Sequence, residues 1–197
     1  MYNSIGCQHT VAVAVGCSKV EYPAQYESEE LLKDGSRLRI RPIRLEDAEA
    51  WVDFVSRLGL YTKYLRFHHV PKKMGMEDAL HFCTVDYKDS FALVAEIFRE
   101  CRWSIVAIGR YYRLPSRYTA EFALVVEDAY QGKGIGTKMM ECLVNAARDN
   151  DITTFVGDVL VENDKMMAVL KDYGFQITSE LKAGVYRVTF PITKVGS

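Results

Sequence analysis

Two hydrophobic periodicities alternate along the chain, and their order predicts a mixed α/β protein. Residues 37–41 alternate between polar and apolar side chains, which is typical of a half-buried strand, and Pro42 ends that strand. Further runs of β-branched, aromatic and other apolar residues are separated by polar turns and predict an antiparallel meander. These runs are residues 90–98, 104–112 and 121–126.

Helical spacing of apolar residues marks the other segments. Residues 46–58 carry one apolar face and end at Gly59, and residues 134–150 carry another. Shorter helices are predicted at residues 61–67, 76–82 and 163–173. The remaining strands are predicted at residues 154–161, 175–180 and 185–190.

This order of elements predicts one α/β (α+β) domain, a mixed, mostly antiparallel sheet of about seven strands with helices on both faces. We assign the domain to residues 34–197. Residues 1–33 are the least patterned part and are interpreted as an N-terminal lead-in, partly flexible, in which residues 26–30 are a solvated acidic stretch.

The composition of the chain excludes some classes of binding partner. The chain has 197 residues, of which 49% are hydrophobic and 26% charged, as in an average globular protein. Its 25 Lys and Arg residues against 26 Asp and Glu residues give a net charge of −1, which offers no bulk positive field for nucleic acid or an anionic membrane. Its apolar stretches fall short of the roughly 18–20 residues of a membrane span.

Cysteine and histidine usage predicts neither a disulfide framework nor a metal site. The five cysteines are scattered without a C-x-x-C pair, and the four histidines lack metal-ligand spacing. Residues 10–16 before Cys17 faintly imitate a lipoprotein signal, but no Lys or Arg precedes them. We therefore expect a cytoplasmic protein without a metal.

A glycine-rich segment lies between the predicted strand at 121–126 and the helix at 134–150. Gly132, Gly134 and Gly136 alternate with other residues and leave backbone N–H groups uncovered where the helix dipole is positive. This favours a cradle for a phosphate or pyrophosphate. A dinucleotide fingerprint would need glycine where Thr137 stands, and a Walker loop is absent. A turn without a ligand is the alternative interpretation.

The segment Gln131-Gly132-Lys133-Gly134-Ile135-Gly136 resembles the pyrophosphate loop of the GNAT superfamily of acyl-CoA-dependent N-acyltransferases. Asn163 with Gly174-Phe175 resembles the second signature of that superfamily. The resemblance implies the GNAT fold, acetyl-CoA as the acyl donor, and N-acetyltransferase activity.

A narrower resemblance covers residues 22–190. The motifs Arg41-Pro42-Ile43-Arg44, Tyr64-Leu65-Arg66-Phe67 and Glu162-Asn163-Asp164-Lys165 are similar to those of bacterial protein lysine acetyltransferases that modify acyl-CoA synthetases. This resemblance implies direct acetyl transfer to a protein lysine ε-amine, with a protein substrate such as an acyl-CoA synthetase as the partner.

The resemblance also implies roles for individual residues. Glu121, the lone acid of an apolar strand, corresponds to the general base, and a solvated glutamate at the sheet edge is the alternative. Leu124, Val125 and Val126 correspond to the segment that pairs with pantetheine, and the Val126 N–H is a candidate oxyanion donor. The cofactor-binding residues are Leu124, Val125, Val126, Gln131, Gly132, Lys133, Gly134, Ile135, Gly136, Thr137 and Asn163.

One position departs from the superfamily pattern. Many GNAT enzymes carry a Tyr that protonates the CoA thiolate seven residues after the Asn that opens the helix, and here that position is Leu170. Tyr173 lies about a turn further on and is expected to face the core. Cys83 and Cys142 have no histidine partner in the local sequence, so direct transfer is favoured over an acetyl-cysteine intermediate.

Two alternatives remain open at this level. One is transfer to a small-molecule amine or an amino acid, because residues 46–88 and the closing strands, where the acceptor is expected, show no diagnostic charge cluster. The other is a non-catalytic acyl-CoA-binding sensor, which Leu170 favours and Glu121 opposes.

Overall fold

An eight-stranded sheet forms the centre of the computed structural model, which describes residues 20–71 and 73–192. Its spatial order is β1-β2-β3-β4-β5-β6-β8-β7, and every neighbouring pair is antiparallel except β5 and β6. The strands are β1 Ser28–Leu31, β2 Arg37–Pro42, β3 Ser90–Arg99, β4 Arg102–Arg113, β5 Thr119–Val126, β6 Thr154–Leu160, β7 Thr178–Lys182 and β8 Val185–Pro191.

Helices cover both faces of this sheet, as the sequence predicts. Because successive side chains of a strand point to opposite faces, Phe91 and Leu93 join one buried cluster, whereas Ala92 and Val94 join another. The first cluster is completed by α4 and the second by α1 and α3. The helices are α1 Ala48–Arg57, α2 Leu60–Phe67, α3 Met76–Cys83, α4 Ile135–Asp149 and α5 Asp164–Asp172.

The sequence did not predict β1, and the sheet therefore has eight strands where about seven were expected. Three of its four residues are exposed, so the strand lacks an apolar face and is held to β2 by backbone pairing, including the pair Glu29↔Arg39. Tyr26 packs edge-on against Phe91, with ring centroids 5.3 Å apart. The described part of the expected lead-in thus contacts the core, whereas residues 1–19, including the signal-like segment at 10–17, lie outside the described residues.

The strand predicted at residues 175–180 begins later, at Thr178. Gly174 takes a left-handed φ of +85°, and Phe175 lies 4.3 Å from the ring of Tyr173 and 4.3 Å from that of Phe190, both measured between centroids. Stacking therefore holds Phe175 outside the strand ladder. Within the described residues, the longest helix has 15 residues and none is both long and apolar enough to cross a membrane.

The sheet divides between β5 and β6. These two strands pair only at Thr119↔Thr154, Ala120↔Phe155 and Glu121↔Val156, although β5 continues to Val126 and β6 to Leu160. Among the described residues no strand pairs with the second half of β5 on that side. The division leaves one backbone edge open beside the loop that leads into α4.

Candidate active site

The glycine-rich loop has the backbone geometry of an anion cradle. Gly132 and Gly134 take left-handed φ values of +75° and +83°, and a Cβ at either position would meet nothing within 4 Å. The first backbone bond of α4 runs from the Lys138 N–H to the Gly134 carbonyl, 3.1 Å away. The N–H groups of the preceding helical residues therefore lack intrahelical acceptors and are available to an anion.

The open half of β5 presents backbone groups to this loop. The Glu127 N–H donates to the Val106 carbonyl at 2.8 Å, so Glu127 faces β4. Since neighbouring residues of a strand face opposite sides, the N–H and carbonyl groups of Val126 and Leu124 face away from β4, toward the division in the sheet. The Val126 carbonyl accepts a bond from Gln131 Nε2 at 2.9 Å, in agreement with this direction.

A single cleft of about 740 Å³ joins the open edge to the loop. This volume is in the range of sites for small molecules and cofactors. Ten of the eleven predicted cofactor-binding residues line it: Leu124, Val125, Val126, Gln131, Gly132, Lys133, Gly134, Gly136, Thr137 and Asn163. The eleventh, Ile135, buries its side chain in the core, so only its backbone can face the loop.

The polar side chains of the cleft are held by their neighbours. Gln131 bridges the Val126 carbonyl and Lys165, whose Nζ lies 2.6 Å from Gln131 Oε1. Asn163 caps α5, with its Oδ1 accepting from the Met166 N–H at 3.1 Å. The Lys133 Nζ lies 2.8 Å from Asp34 Oδ2 across the mouth of the cleft.

The candidate base lies where the sheet divides, outside the lining of the cleft. Glu121 takes part in the last pair between β5 and β6, and its side chain is 49% exposed rather than enclosed in an apolar strand. Its Oε2 lies 3.4 Å from Arg187 Nη1, and Arg187 also pairs with Asp158 at 3.0 Å. Tyr112 of β4 stands directly opposite Glu121 on the same face of the sheet.

Leu170 and Tyr173 lie away from the cleft. Leu170 is fully buried in the core that α4 completes, and Tyr173 stacks on Phe175. Neither residue lines the cleft. The expected general-acid tyrosine therefore has no counterpart at these two positions.

The sequence did not predict two arginines beside Glu121. Arg66 of α2 lines the cleft, and Arg110 of β4 is 3% exposed on the face of the sheet that carries Glu121. Burial and the positive charge of Arg110 lower the pKa of Arg66 to about 10. Burial also lowers the pKa of Arg110. Arg66 and Arg110 lie 44 positions apart, so no local motif unites them.

No group of three or more His, Cys, Asp or Glu side chains in residues 20–71 and 73–192 is arranged to hold a metal ion.

Comparison with known sequences gives the family. The profile of the "Acetyltransferase (GNAT) domain" matches residues 37–176, more than half of the chain. The chain is 33% identical over 121 residues to an acetyltransferase of Pseudomonas aeruginosa, covering 61% of this chain and 65% of that protein. It is 29% identical over 146 residues to the acetyltransferase Pat of Mycolicibacterium smegmatis, covering 73% of this chain and 42% of that protein. The matches thus span less than two thirds of each relative.

Solved structures agree with this result. The GNAT domain of Streptomyces lividans PAT superimposes with a TM-score of 0.79 at 32% identity, covering 87% of this chain and 99% of that domain. The putative acetyltransferase yncA of Salmonella typhimurium, solved with its cofactor acetyl-CoA, shares the fold with a TM-score of 0.61 at 18% identity, covering 81% of this chain and 96% of that one. The chain belongs to the GNAT family of acetyltransferases.

Proposed function

We propose that this protein is an acetyl-CoA-dependent N-acetyltransferase that passes the acetyl group directly to an amine, a lysine ε-amine of a protein. The observation that carries the proposal is the single cleft in which the open edge of β5 meets the anion cradle of α4. Acetyl-CoA fits this combination, because it is an extended chain that carries amide groups in its pantetheine arm and a pyrophosphate further along.

The cleft supports a definite placement of acetyl-CoA. The pyrophosphate would lie against the N–H groups that open α4, near Gly134. The pantetheine amides would pair with the outward backbone groups of Leu124 and Val126, as an added strand pairs with a sheet edge. The Val126 N–H would then donate to the oxygen of the thioester carbonyl, where negative charge develops during attack.

The amine must lose a proton before it can attack. A lysine ε-amine has a pKa of about 10.4, so roughly one part in a thousand is neutral near pH 7.5. We assign Glu121 as the base that accepts this proton. Because Glu121 is half exposed and lies outside the lining of the cleft, its proton transfer would pass through a water molecule.

The reaction then needs no covalent intermediate on the enzyme. The neutral nitrogen forms a bond to the thioester carbon, the C–S bond breaks, and the electron pair of that bond leaves with CoA as a thiolate. The nitrogen loses its second proton to water as the amide forms. A thiol pKa of about 8.5 makes the thiolate an adequate leaving group without a dedicated acid. This fits a chain in which the fully buried Leu170 occupies the position of the acid.

The choice of a protein lysine is supported by likeness rather than by a contact. The M. smegmatis relative is the acetyltransferase Pat, and the S. lividans structure is the GNAT domain of PAT. A small amine or an amino acid would use the same donor site and the same base, so the acceptor is decided by the assay.

The assay measures CoA release from acetyl-CoA in two tubes, one with an acyl-CoA synthetase and one with a pool of small amines. Wild type is compared with Glu121→Gln and with the control Glu141→Gln, an exposed glutamate of α4. We expect release with the synthetase, its loss in Glu121→Gln, and wild-type release in Glu141→Gln.

Each other outcome of this assay has a defined meaning. Release with the amine pool alone would overturn the protein substrate and keep the donor site. Tight CoA binding without release in either tube would contradict the enzyme and favour the acyl-CoA sensor.

A further inference from the structure

Arg110 is a buried cation with an incomplete set of partners. It lies on β4 directly opposite Ala123, 3% exposed. One Nη donates to the Phe82 carbonyl at 3.3 Å and also contacts the Tyr112 hydroxyl. The guanidinium lies over the rings of Phe82 and Tyr112, 4.8 Å and 4.5 Å from their centroids. All of these partners are neutral.

No carboxylate of the described residues forms an ion pair with Arg110, and its Nε is buried without a hydrogen-bond partner. The other buried arginine of the sheet shows the usual arrangement. Arg41 is held by Asp47 at 2.7 Å and by Glu96 at 2.9 Å. Arg110 lacks the counter-charge that Arg41 has. A buried charge is costly unless it is paired, so an anionic ligand would relieve this cost at Arg110.

Arg66 places a second unpaired cation beside the first. It projects from α2 into the cleft, and within residues 20–71 and 73–192 no carboxylate lies within ion-pair distance of it. The charge of Arg110 lowers the pKa of Arg66, and the charge of Glu121 raises it, so Arg66 interacts with both. Arg110 and Glu121 lie on the same face of the paired strands β4 and β5. Glu121, the acid whose charge acts on Arg66, is already paired with Arg187.

The charges around the candidate base are therefore unbalanced. Arg66, Arg110 and Arg187 supply three positive charges, while Glu121 and Asp158 supply two negative ones. A lysine ammonium entering this region would add a fourth positive charge. Its approach would be unfavourable unless the acceptor brought an anionic group of its own.

Arg66 and the glycine-rich loop, where we expect the CoA phosphates, lie toward different ends of α2. Near the start of α2, Thr62 Oγ1 contacts Asp128 and lies 3.4 Å from Gln131 Nε2, at the beginning of the glycine-rich loop. Arg66 is one helical turn further along α2, and its charge interacts with Glu121 at the other half of β5. This order along α2 places Arg66 on the side of the cleft toward Glu121, where we expect the acceptor.

We infer that Arg66 and Arg110 form a carboxylate-binding subsite beside Glu121, so that the preferred acceptors carry a carboxylate close to the reacting amine. This inference rests on the proposed function, whose acceptor it narrows. The carboxylate can come from an Asp or Glu side chain next to a target lysine, or from the α-carboxylate of a free amino acid. A planar guanidinium matches either source by paired N–H donors.

The test uses two matched pairs of acceptors with the CoA-loaded protein. One pair is a lysine peptide flanked by aspartates and the same peptide with asparagines. The other pair is L-lysine and L-lysinamide. Binding is measured by calorimetry in the presence of CoA, and turnover is measured with acetyl-CoA. Charged hydrogen bonds of this kind predict a preference of roughly tenfold or more for the carboxylate member of the pair that binds.

Three variants assign the preference to the arginines. Arg66→Gln should abolish the discrimination, and its KM for acetyl-CoA is measured alongside because Arg66 lines the cleft. Arg66→Lys keeps the charge without the planar fork and should retain part of the preference. Arg102→Gln, an exposed arginine at the start of β4, should behave as wild type. Arg66 is partly exposed, so its replacement tests the subsite without emptying a core position.

The outcomes separate the inference from the proposed function. Equal binding and turnover of both members of each pair, or discrimination unchanged in Arg66→Gln, would overturn the carboxylate subsite alone. Turnover of L-lysine but not of the peptides would overturn the protein acceptor and keep the subsite. Preferential binding of a carboxylate member without any turnover would keep the subsite and contradict the proposed activity.

Discussion

Glu121 and Val156 form the last pair between β5 and β6, so the candidate base lies at the point where the sheet divides. Beyond this pair, the outward backbone of β5 lines the cleft, and the strand leads through the glycine-rich loop into α4. One local departure from sheet pairing thus opens the proposed donor site and places the candidate base at its end.

The left-handed loop glycines provide a first prediction. Gly134→Ala places a side chain at a φ of +83°, which costs about 1–2 kcal/mol of stability, and puts a methyl group into the open space of the cradle. We expect CoA affinity, measured by calorimetry, to fall by about tenfold or more.

The control is Gly184→Ala in the turn between β7 and β8. Gly184 has a φ of +80° and equally open surroundings, but it lies outside the cleft. It should lose similar stability and keep full CoA affinity. Equal affinity losses in the two variants would mean that backbone strain, rather than contact with phosphate, explains the effect.

The ion pair between Asp34 and Lys133 provides a second prediction. Bonds from Lys133 and from the Ser36 backbone hold the pKa of Asp34 well below its usual range, so this carboxylate stays charged at the mouth of the cleft. Asp34→Asn releases Lys133 and removes a charge that repels phosphate. We expect CoA affinity to rise by about two- to fivefold at low salt and to match wild type near 1 M salt.

A matched variant removes an ion pair of the same kind elsewhere. Asp89→Asn breaks the exposed contact of Asp89 with Arg113, 2.6 Å long and away from the cleft, and should leave CoA affinity unchanged. A loss of affinity in Asp34→Asn would indicate that Asp34 orients Lys133 toward the phosphate instead of competing with it.

Periodicity predicted most of the fold because most elements bury one clear apolar face. The helix predicted at 134–150 is α4, and its buried residues include Met139, Met140 and Leu143, spaced as the pattern requires. β1 was not predicted, because Glu29 and Glu30 pair with β2 through their backbones and offer no apolar alternation. Edge strands of this kind carry little signal in their side chains.

The candidate site likewise has one part that the sequence predicted and one part that it did not. The loop from Gln131 to Thr137 is continuous in sequence, so its glycine spacing, together with the resemblance to the GNAT pyrophosphate loop, was enough to single it out. The surroundings of Glu121 were not predictable from β5, because Arg66, Arg110 and Arg187 come from α2, β4 and β8. A search for charges without partners would find the two unpaired arginines only after the register of β4 on β5 is known.

The buried position of Leu170 provides a third prediction. A tyrosine there would have to fit a fully buried core site, and overpacking of this kind costs about 1–3 kcal/mol. Leu170→Tyr should therefore lower the melting temperature without raising turnover, whereas Leu170→Met, which conserves volume, should change both only slightly. A rise in turnover with unchanged stability would show that this position faces the departing thiol.

The cysteines provide a fourth prediction, on pH dependence. Burial raises the pKa of the Cys83 thiol to about 12 and that of Cys142 to about 11, whereas Cys101 is exposed. Because the reactive form is the thiolate, at pH 8 only about one part in ten thousand of Cys83 and one in a thousand of Cys142 can react. Among these three cysteines of the described residues, mass spectrometry after brief alkylation should find label on Cys101 first, and Cys83 and Cys142 should react faster as pH rises.

The most direct test of direct transfer with Glu121 as base is a single turnover. Enzyme loaded with acetyl-CoA is mixed with a lysine acceptor and quenched at intervals, and the masses of acceptor and enzyme are followed. The account predicts that acetylated acceptor and CoA appear at the same rate, that no acetyl-enzyme forms, and that Glu121→Gln slows transfer by about a hundredfold or more with CoA affinity unchanged. Acetyl-enzyme ahead of product, or transfer at the wild-type rate in Glu121→Gln, would contradict it.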